Sequence, residues 1–426
     1  MSVVKTKLSE TRVKLEIGAD GSALSPIKSR VLKDLGREVK VPGFRAGKVP
    51  ASILERYLDA DRMQSAFLDE AINELYIDAA RREMLRPVEQ PEITITKFVP
   101  FDTLAFTAEV EVVGEVELPD YRRLQVAKKP VKVTAKDVDA TVRQLLLREA
   151  EKSGVDRPAA LGDEVIIDFS GRDAVTKELI AGADGKAYPL HLGSDTFIPG
   201  FEKKLVGARA GDRRSFILTF PKDYGVASMQ NRKVTFDVSV LKVQAVKEPQ
   251  LSDDFAAKIG PFKTVAELKK DIKKELEREQ QARTQREYEN MLIETIARKT
   301  KVALPKVLVD DQIDRIQQEE RRNLAYRGQT WEEHLKEEGL TEQSHRERQR
   351  PEAELRVKIG LSLGEIAEKE GITVTKRELD DRLKLLKNQY TDVQLQAELD
   401  KPENRQDILN RLITEKTITR LLEYVA

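Results

Sequence analysis

Apolar positions change period several times along the chain, and each change marks an element. In Arg12-Val13-Lys14-Leu15-Glu16-Ile17 apolar and charged residues alternate, as in a strand with one wet face. From Ser22 to Arg37, Leu24, Ile27, Val31 and Leu35 recur at three and four residues and predict a helix. The stretch Val41-Pro42-Gly43-Phe44-Arg45-Ala46-Gly47-Lys48-Val49-Pro50 cannot continue it, because two prolines and two glycines break the ladder, so a loop follows. Ser52 and Glu55 have capping-box spacing, a longer helix is expected from Met63 to Met84, and alternation returns at Ile93 to Ile95 and Leu104 to Val116. These elements make an α+β domain over residues 1–115.

Residues 116–155 read as a linker. Thr134 and Asp137 cap a helix whose Val138, Val142, Leu145 and Leu146 form one stripe, which needs a partner elsewhere. From 156 to 248 the pattern shortens to strands at Val165–Phe169, Arg214–Phe220 and Val234–Val240, separated by Gly-Asp, Pro-Gly and Asp-Tyr-Gly turns. Residues 249–426 are helical, with capping boxes at Thr264/Glu267 and Thr375/Glu378 and breaks at Pro261, Pro305, Pro351 and Pro402. Leu268, Ile272 and Leu276 form a buried stripe there, whereas Glu277 to Glu287 is polar all round, the mark of a projecting arm.

Composition narrows the chemistry. At 426 residues the chain predicts two to four domains, and 74 Lys+Arg against 74 Asp+Glu argue against a uniformly basic nucleic-acid coat. Charged residues at 35% and aromatics at 5% suit long solvated helices. With no Cys, disulfides, thiolate nucleophiles and Cys-based metal sites are excluded. Three His remain, His191, His334 and His345, with no pair at ligand spacing, so neither a metal nor another cofactor is expected. Asp310-Asp311 and Glu319-Glu320 read as solvated helix faces. The N-terminus lacks an apolar leader and no run approaches the roughly 20 apolar residues of a membrane span, so a soluble, cytoplasmic protein is expected.

The loop tip is not a Walker A phosphate loop: three residues separate Gly43 from Gly47, and Val49 follows Lys48. It offers Phe44 between glycines, flanked by Arg45 and Lys48, downstream of Lys28, Arg30, Lys33, Arg37 and Lys40. On spacing alone, a polyanion-binding tip and an ordinary surface turn both fit. Gly43-Phe44-Arg45-Ala46-Gly47-Lys48-Val49-Pro50 resembles the ribosome-binding signature of the trigger factor family of chaperones, and the similarity runs through the whole chain in the same order. The resemblance implies a docking domain, a linker, an FKBP-like antiparallel sheet with a short helix, and an elongated all-helical chaperone domain with arms. It implies that Phe44, Arg45 and Lys48 contact the large ribosomal subunit near the polypeptide exit tunnel, that nascent and unfolded polypeptides are the clients, and that a weak homodimer forms off the ribosome.

Gly162-Asp163-Glu164-Val165, Asp168-Phe169-Ser170-Gly171, Leu192-Gly193, Ile198-Pro199-Gly200-Phe201-Glu202 and Phe220-Pro221-Lys222-Asp223-Tyr224 resemble FKBP-type prolyl isomerases in order and spacing. That resemblance implies a pocket of Phe169, Phe197, Ile198, Phe201, Tyr224 and Phe236, with Tyr188 at its rim. For Phe216, Phe220 and Phe236 simple core filling accounts for the residues equally well. Leu179 stands where the family carries an aromatic, which implies a thinner aromatic wall. His191, between Leu190 and Leu192, reads as a strand residue.

Two functions follow from these readings. One is a ribosome-associated chaperone with auxiliary peptidyl-prolyl isomerase activity; the other is a freestanding isomerase whose helical half recruits substrate. An RNA-binding regulator lacks the interleaved aromatics that stack bases. Client contacts are expected on dispersed apolar positions of the helical region: Met291, Ile296, Val307, Leu308, Leu324, Tyr326, Val357, Leu361, Leu395 and Leu399.

Overall fold

The computed structural model describes residues 1–37, 53, 57–194, 196–224, 229–389 and 392–425. Phe44, Arg45, Lys48 and the Ser52/Glu55 pair lie outside them. The chain forms two compact units, residues 1–127 with 287–426, and residues 128–286.

The first unit begins with an antiparallel sheet in the order β1-β2-β4-β3, from β1 (Ser2–Lys7), β2 (Arg12–Asp20), β3 (Glu92–Val99) and β4 (Thr103–Glu111). Alternation works as expected: Val13, Leu15, Ile17 and Ala19 of β2 and Leu104, Phe106, Ala108 and Val110 of β4 face one way and are buried. Helices α1 (Gly21–Leu35) and α2 (Ala60–Arg82) cover that face with Leu24, Ile27, Val31, Phe67, Ala71 and Leu75. Asp20 caps α1 by accepting from the Ser22 and Ala23 amides, and Asp59 caps α2 through the Arg62 amide.

The helices of this unit are stitched to that sheet domain. Glu117 and Lys301 exchange backbone hydrogen bonds at 2.9 and 3.0 Å. Arg86 reaches Glu365 and Glu368 at 3.0 and 2.7 Å. The main helices are the latter part of α6 (Val265–Lys299), then α7 (Lys306–Tyr326), α8 (Trp331–Glu338), α9 (Glu342–Lys369), α10 (Lys376–Lys387), α11 (Val393–Glu398) and α12 (Pro402–Val425), the labels α3 to α5 falling to the other unit. Tyr121, Leu124, Leu292, Ile296, Leu363, Ile366 and Leu421 form one core; Val309, Ile313, Ile316 and Ala353 bind α7 to α9; Leu383, Ile408 and Leu412 bind α10 to α12. Among the described residues no helix is long and apolar enough to cross a membrane.

Three expectations are corrected here. Ile296 and Leu324 are buried, Ile296 in the core it shares with Leu363, Ile366 and Leu421, so neither side chain is exposed for a client contact. Val307, Leu308, Val357, Leu361 and Leu399 are half-buried, Val357 and Leu399 being packed against cores. Met291, Tyr326 and Leu395 are exposed. Pro351 does not end a helix but sits inside α9. It lies on the exposed side, as does Glu347, whose carbonyl would have met the missing amide, so water can reach that carbonyl while Ala353 and His345 are held by packing.

In the second unit, α3 (Ala135–Arg148) starts at a full capping box between Thr134 and Asp137. Its stripe finds its partner: Val138 and Val142 pack with Phe255 and Ala256 of α5 (Asp253–Ile259) and with Leu268 and Ile272 of α6. The sheet contains β5 (Glu151–Gly154), β6 (Glu164–Asp173), β7 (Leu179–His191), β8 (Arg213–Thr219) and β9 (Lys233–Lys247), all pairs antiparallel. Long β9 pairs with β6 along one edge and with β8 and then β5 along the other. The short helix α4 (Phe201–Leu205) plugs the concave face with Phe201 and Leu205, both fully buried against Val165, Ile167, Leu190, Val238 and Val240.

Candidate active site

One end of α4 and the face of β6, β7 and β9 enclose a cavity of about 500 Å³, lined by Phe169, Gly182, Ala183, Thr196, Phe197, Ile198, Pro199, Phe220, Pro221, Tyr224, Met229 and Phe236. The backbone explains how the aromatics meet. Phe169 projects from β6 and Phe236 from β9, while Phe197, Ile198 and Phe201 straddle the turn Pro199-Gly200 that starts α4. Gly200 takes φ +93°, a left-handed conformation that side chains resist, so the chain can reverse directly into the helix.

Phe201 is the floor. Its ring lies 4.4 Å from Phe197, 5.2 Å from Phe236 and 6.1 Å from Phe169, centroid to centroid, and it is fully buried. Phe197 and Phe169 meet edge-on at 5.3 Å, an arrangement in which the positive ring edge faces the negative ring face. Tyr188 stands at the rim, 5.9 Å from Phe169 and 5.4 Å from Phe197, and Phe220 packs on Tyr224 at 4.7 Å. Tyr188 and Tyr224 are both more than a third exposed; Tyr224 is on the lining and Tyr188 stands just outside it against Phe169 and Phe197. All six residues expected in the pocket therefore converge, five on its lining and Phe201 beneath it.

The structure adds lining that the sequence reading missed, Gly182, Ala183, Thr196 and Met229, and puts Phe220 and Pro221 of the quoted motif on it as well. Met229 carries no local signal, since it comes from the turn between β8 and β9. Leu179 is well exposed at the start of β7, opposite Arg172, and is outside the lining, so it does not thin the wall. His191 ends β7, as a strand residue.

Two features hold the aromatics in place. Glu202, almost fully buried, accepts from the Gly193 amide at 2.6 Å, the Thr196 amide at 3.1 Å and the Ser194 hydroxyl at 3.1 Å, tying α4 to the segment that delivers Phe197. Gly185 on β7 lies directly under the Phe169 ring: a Cβ there would sit 2.6 Å from Phe169 Cε1. Gly185→Ala is therefore expected to displace Phe169 and slow isomerisation several-fold while costing about 1–3 kcal/mol by overpacking; a peptide exchange assay with a urea titration of the same variant checks both.

The described lining holds no carboxylate, imidazole or ammonium group. The hydroxyls on the described lining are those of Tyr224 and Thr196, the latter hydrogen-bonded with Ser194, so acid-base chemistry has no carboxylate or imidazole to work with there. What the cavity does offer is apolar surroundings for an imide. The rotation barrier of an X-Pro bond, about 20 kcal/mol, comes from amide resonance, and a twisted, less polar imide is favoured relative to the planar one in such surroundings.

Comparison with known proteins agrees with this geometry. The family model described as "Bacterial trigger factor protein (TF)" matches residues 1–145, its C-terminal counterpart matches 264–423, and "FKBP-type peptidyl-prolyl cis-trans isomerase" matches 155–241. The chain is 31% identical to Trigger factor of Halothermothrix orenii over 100% of its own length and 99% of that protein. Identity is 36% to Trigger factor of Moorella thermoacetica, over 89% and 85%, and 32% to that of Carboxydothermus hydrogenoformans, over 99% of both. With full-length relatives above 30% identity and an FKBP-type pocket in its second unit, this chain belongs to the trigger factor family of chaperones and carries that family's peptidyl-prolyl isomerase domain.

Proposed function

We propose that the chain is a chaperone working at the ribosome in the cytoplasm, with prolyl isomerisation confined to the aromatic cavity and client shielding assigned to the helical region. Phe169, Phe197, Ile198 and Phe236 desolvate the imide, Phe201 holds their rings from below, and the Tyr224 hydroxyl donates to a substrate carbonyl. The observation that carries the isomerase assignment is that these side chains converge on one cavity whose described lining holds no titratable group besides Tyr224. The functional division follows residues 1–115 for docking, 116–155 as linker, 156–248 for isomerisation and 249–426 for clients, with weak self-association away from the ribosome.

Docking is assigned to Phe44, Arg45 and Lys48, supported by the signature they stand in and by Lys33, exposed on α1, which precedes it in the chain; Arg37, just past that helix, is exposed but lies 3.2 Å from Asp34. Arg30 contributes less net charge than its position suggests, since it lies 3.1 Å from Glu74 and 3.8 Å from Glu70. Replacing Phe44, Arg45 and Lys48 together with alanine is expected to abolish cosedimentation with 70S ribosomes without changing the circular dichroism spectrum. Salt should weaken wild-type binding, because exposed charges are screened over about 10 Å at 0.1 M. Cosedimentation that survives the triple substitution would sink the assignment.

Client contacts are proposed at the exposed Met291, Tyr326 and Leu395, joined by Leu385, which is also exposed. Isolated apolar side chains of this kind contribute about 25 cal/mol per Å² each before ordering costs, which suits weak, exchangeable grips on many sequences.

A further inference from the structure

Helix α8 is eight residues long and buries none of its residues, yet it packs on α7 and is tied to α9 through Trp331 on His345 and Glu338 with Arg348. Its His334 is brought to His345 of α9 and Glu320 of α7 in a way no local spacing reveals. His334 Nε2 lies 3.2 Å from Glu320 Oε1, and His345 Nε2 lies 3.2 Å from Glu320 Oε2. One ligand atom from each of the three residues falls within 4.8 Å of the others. From this convergence we infer a binding site for one divalent zinc-like cation, with His334, His345 and Glu320 as ligands, which clips α8 to the α7–α9 pair.

The polar contacts do not explain the cluster as a closed hydrogen-bond network. His334 Nε2, Gln349 Oε1 and Trp331 Nε1 are all buried and have no hydrogen-bond partner. His334 Nε2 is thus close to the carboxylate but not aligned to donate to it, as expected when a ring nitrogen and a carboxylate oxygen converge on a third point. His345 is fully buried; besides Glu320 Oε2 at 3.2 Å it meets only long contacts, 3.4 Å from Gln317 Nε2 to its Nδ1 and 3.5 Å from Gln349 Nε2 to its Nε2, and Gln349 Nε2 donates instead to Glu320 Oε2 at 3.0 Å. Unsatisfied buried nitrogen is costly, so an occupant that takes up the lone pairs stabilises the arrangement.

The donor set also selects the ion. Two imidazoles and a carboxylate suit zinc over calcium or magnesium, which prefer oxygen alone. Zinc bonds of about 2.0–2.1 Å to nitrogen set neighbouring ligand atoms about 3.4 Å apart in a tetrahedron. Each imidazole nitrogen lies at about that separation from a different oxygen of Glu320, and one ligand atom from each of the three residues falls within 4.8 Å of the others, so a single ion is reached by rotating the two rings and the carboxylate onto a common centre. Glu338, one helical turn beyond His334 with Oε1 3.9 Å from its Nε2, is placed to be a fourth ligand or to accept from a bound water. Arg348 at 2.5 Å from Glu338 and Arg321 over the Trp331 ring at 4.7 Å add positive charge nearby, which the two carboxylates offset.

Trp331 is the only tryptophan in the chain, and its ring lies 4.8 Å from His345 and 5.7 Å from His334. The full chain, cleared of metal with a chelator, would be titrated with Zn2+ while Trp331 emission is followed and bound zinc is counted by equilibrium dialysis. One tight equivalent per chain is expected, with saturation of the emission change at the same ratio. Co2+ in place of Zn2+ should give the visible bands of a low-symmetry four-coordinate site. Affinity should fall at least tenfold in His334→Gln, in His345→Gln and in Glu320→Gln, and stay unchanged in His191→Gln. His334→Gln carries the decision, because it changes a side chain on a short peripheral helix and leaves the α7–α9 core intact. Absence of a stoichiometric site by dialysis, or unchanged zinc affinity in folded His334→Gln, overturns the proposal.

Discussion

The double substitution Phe197→Ala with Tyr224→Ala is expected to lower kcat/KM for cis/trans exchange of an X-Pro peptide by roughly tenfold to a hundredfold, equivalent to about 1.4–2.8 kcal/mol of lost transition-state stabilisation. Phe197 forms the wall closest to the Phe201 floor, with ring centroids 4.4 Å apart, and Tyr224 carries the one phenol on the lining. Neither belongs to the fully buried floor, so the sheet and α4 keep their packing around Phe201, Leu205 and Ile167. Tyr224→Phe separates the two contributions. Retaining the ring and losing the hydroxyl, it should recover most of the apolar effect but not the hydrogen bond to substrate. A protease-coupled or NMR exchange assay reads all three variants, and full activity in the double variant would remove the cavity from catalysis.

Glu370→Gln is expected to destabilise the first unit by about 2 kcal/mol or more at neutral pH and to flatten its loss of stability in acid. The Glu370 carboxylate accepts from the Tyr424 hydroxyl at 2.6 Å, from Arg122 at 2.6 Å and from the Tyr121 hydroxyl at 2.8 Å, with Arg420 at 3.5 Å. These partners join the end of α9 to α12 and to residues 121–123, so one side chain ties three parts of the chain together. They hold its pKa down from 4.5 to about 2, the Tyr424 hydrogen bond contributing most, followed by Arg122 and Tyr121. A depressed folded pKa means the stabilisation is complete above the unfolded value and drains away as pH falls through it towards 2. Wild type should therefore lose stability steadily between about pH 4.5 and 2. Glu378, also held at about 2 by Lys416 and the Thr375 cap, acts in the same window, so the difference between wild type and Glu370→Gln isolates Glu370. Urea titrations followed by Trp331 emission at neutral and acid pH measure it, and parallel pH profiles for the two proteins would contradict the assignment.

Much of this was legible in residue order, for identifiable reasons. Alternation in Arg12–Ile17 exposed β2 because one face of that sheet is wet and the other packed. The boxes at Thr134 and Thr375 announced α3 and α10 because caps are local chemistry, read within four residues. The aromatic pocket could be listed because its motifs resemble a family. Other features were hidden because they depend on distant partners. Strand β7 carries Gly182, Gly185 and Pro189, which read as turn residues, yet Gly185 is there to admit the Phe169 ring. Ile296 looks like any amphipathic helix position until Leu363, Ile366 and Leu421 are packed on it. Pro351 reads as a break because the pattern does not show that its ring and the orphaned carbonyl both face water. His334 and His345 lie on different helices across a turn, and their meeting over Glu320 belongs to the helix packing alone.

The proposed division makes client shielding and prolyl isomerisation separate devices in one chain. Aggregation of a denatured, proline-containing protein, diluted into buffer with a stoichiometric amount of the full-length Phe197→Ala, Tyr224→Ala variant, tests it directly. Suppression equal to wild type is expected from a variant whose isomerase activity is largely gone. Loss of suppression along with isomerase activity, in a variant that keeps its circular dichroism spectrum, would contradict it.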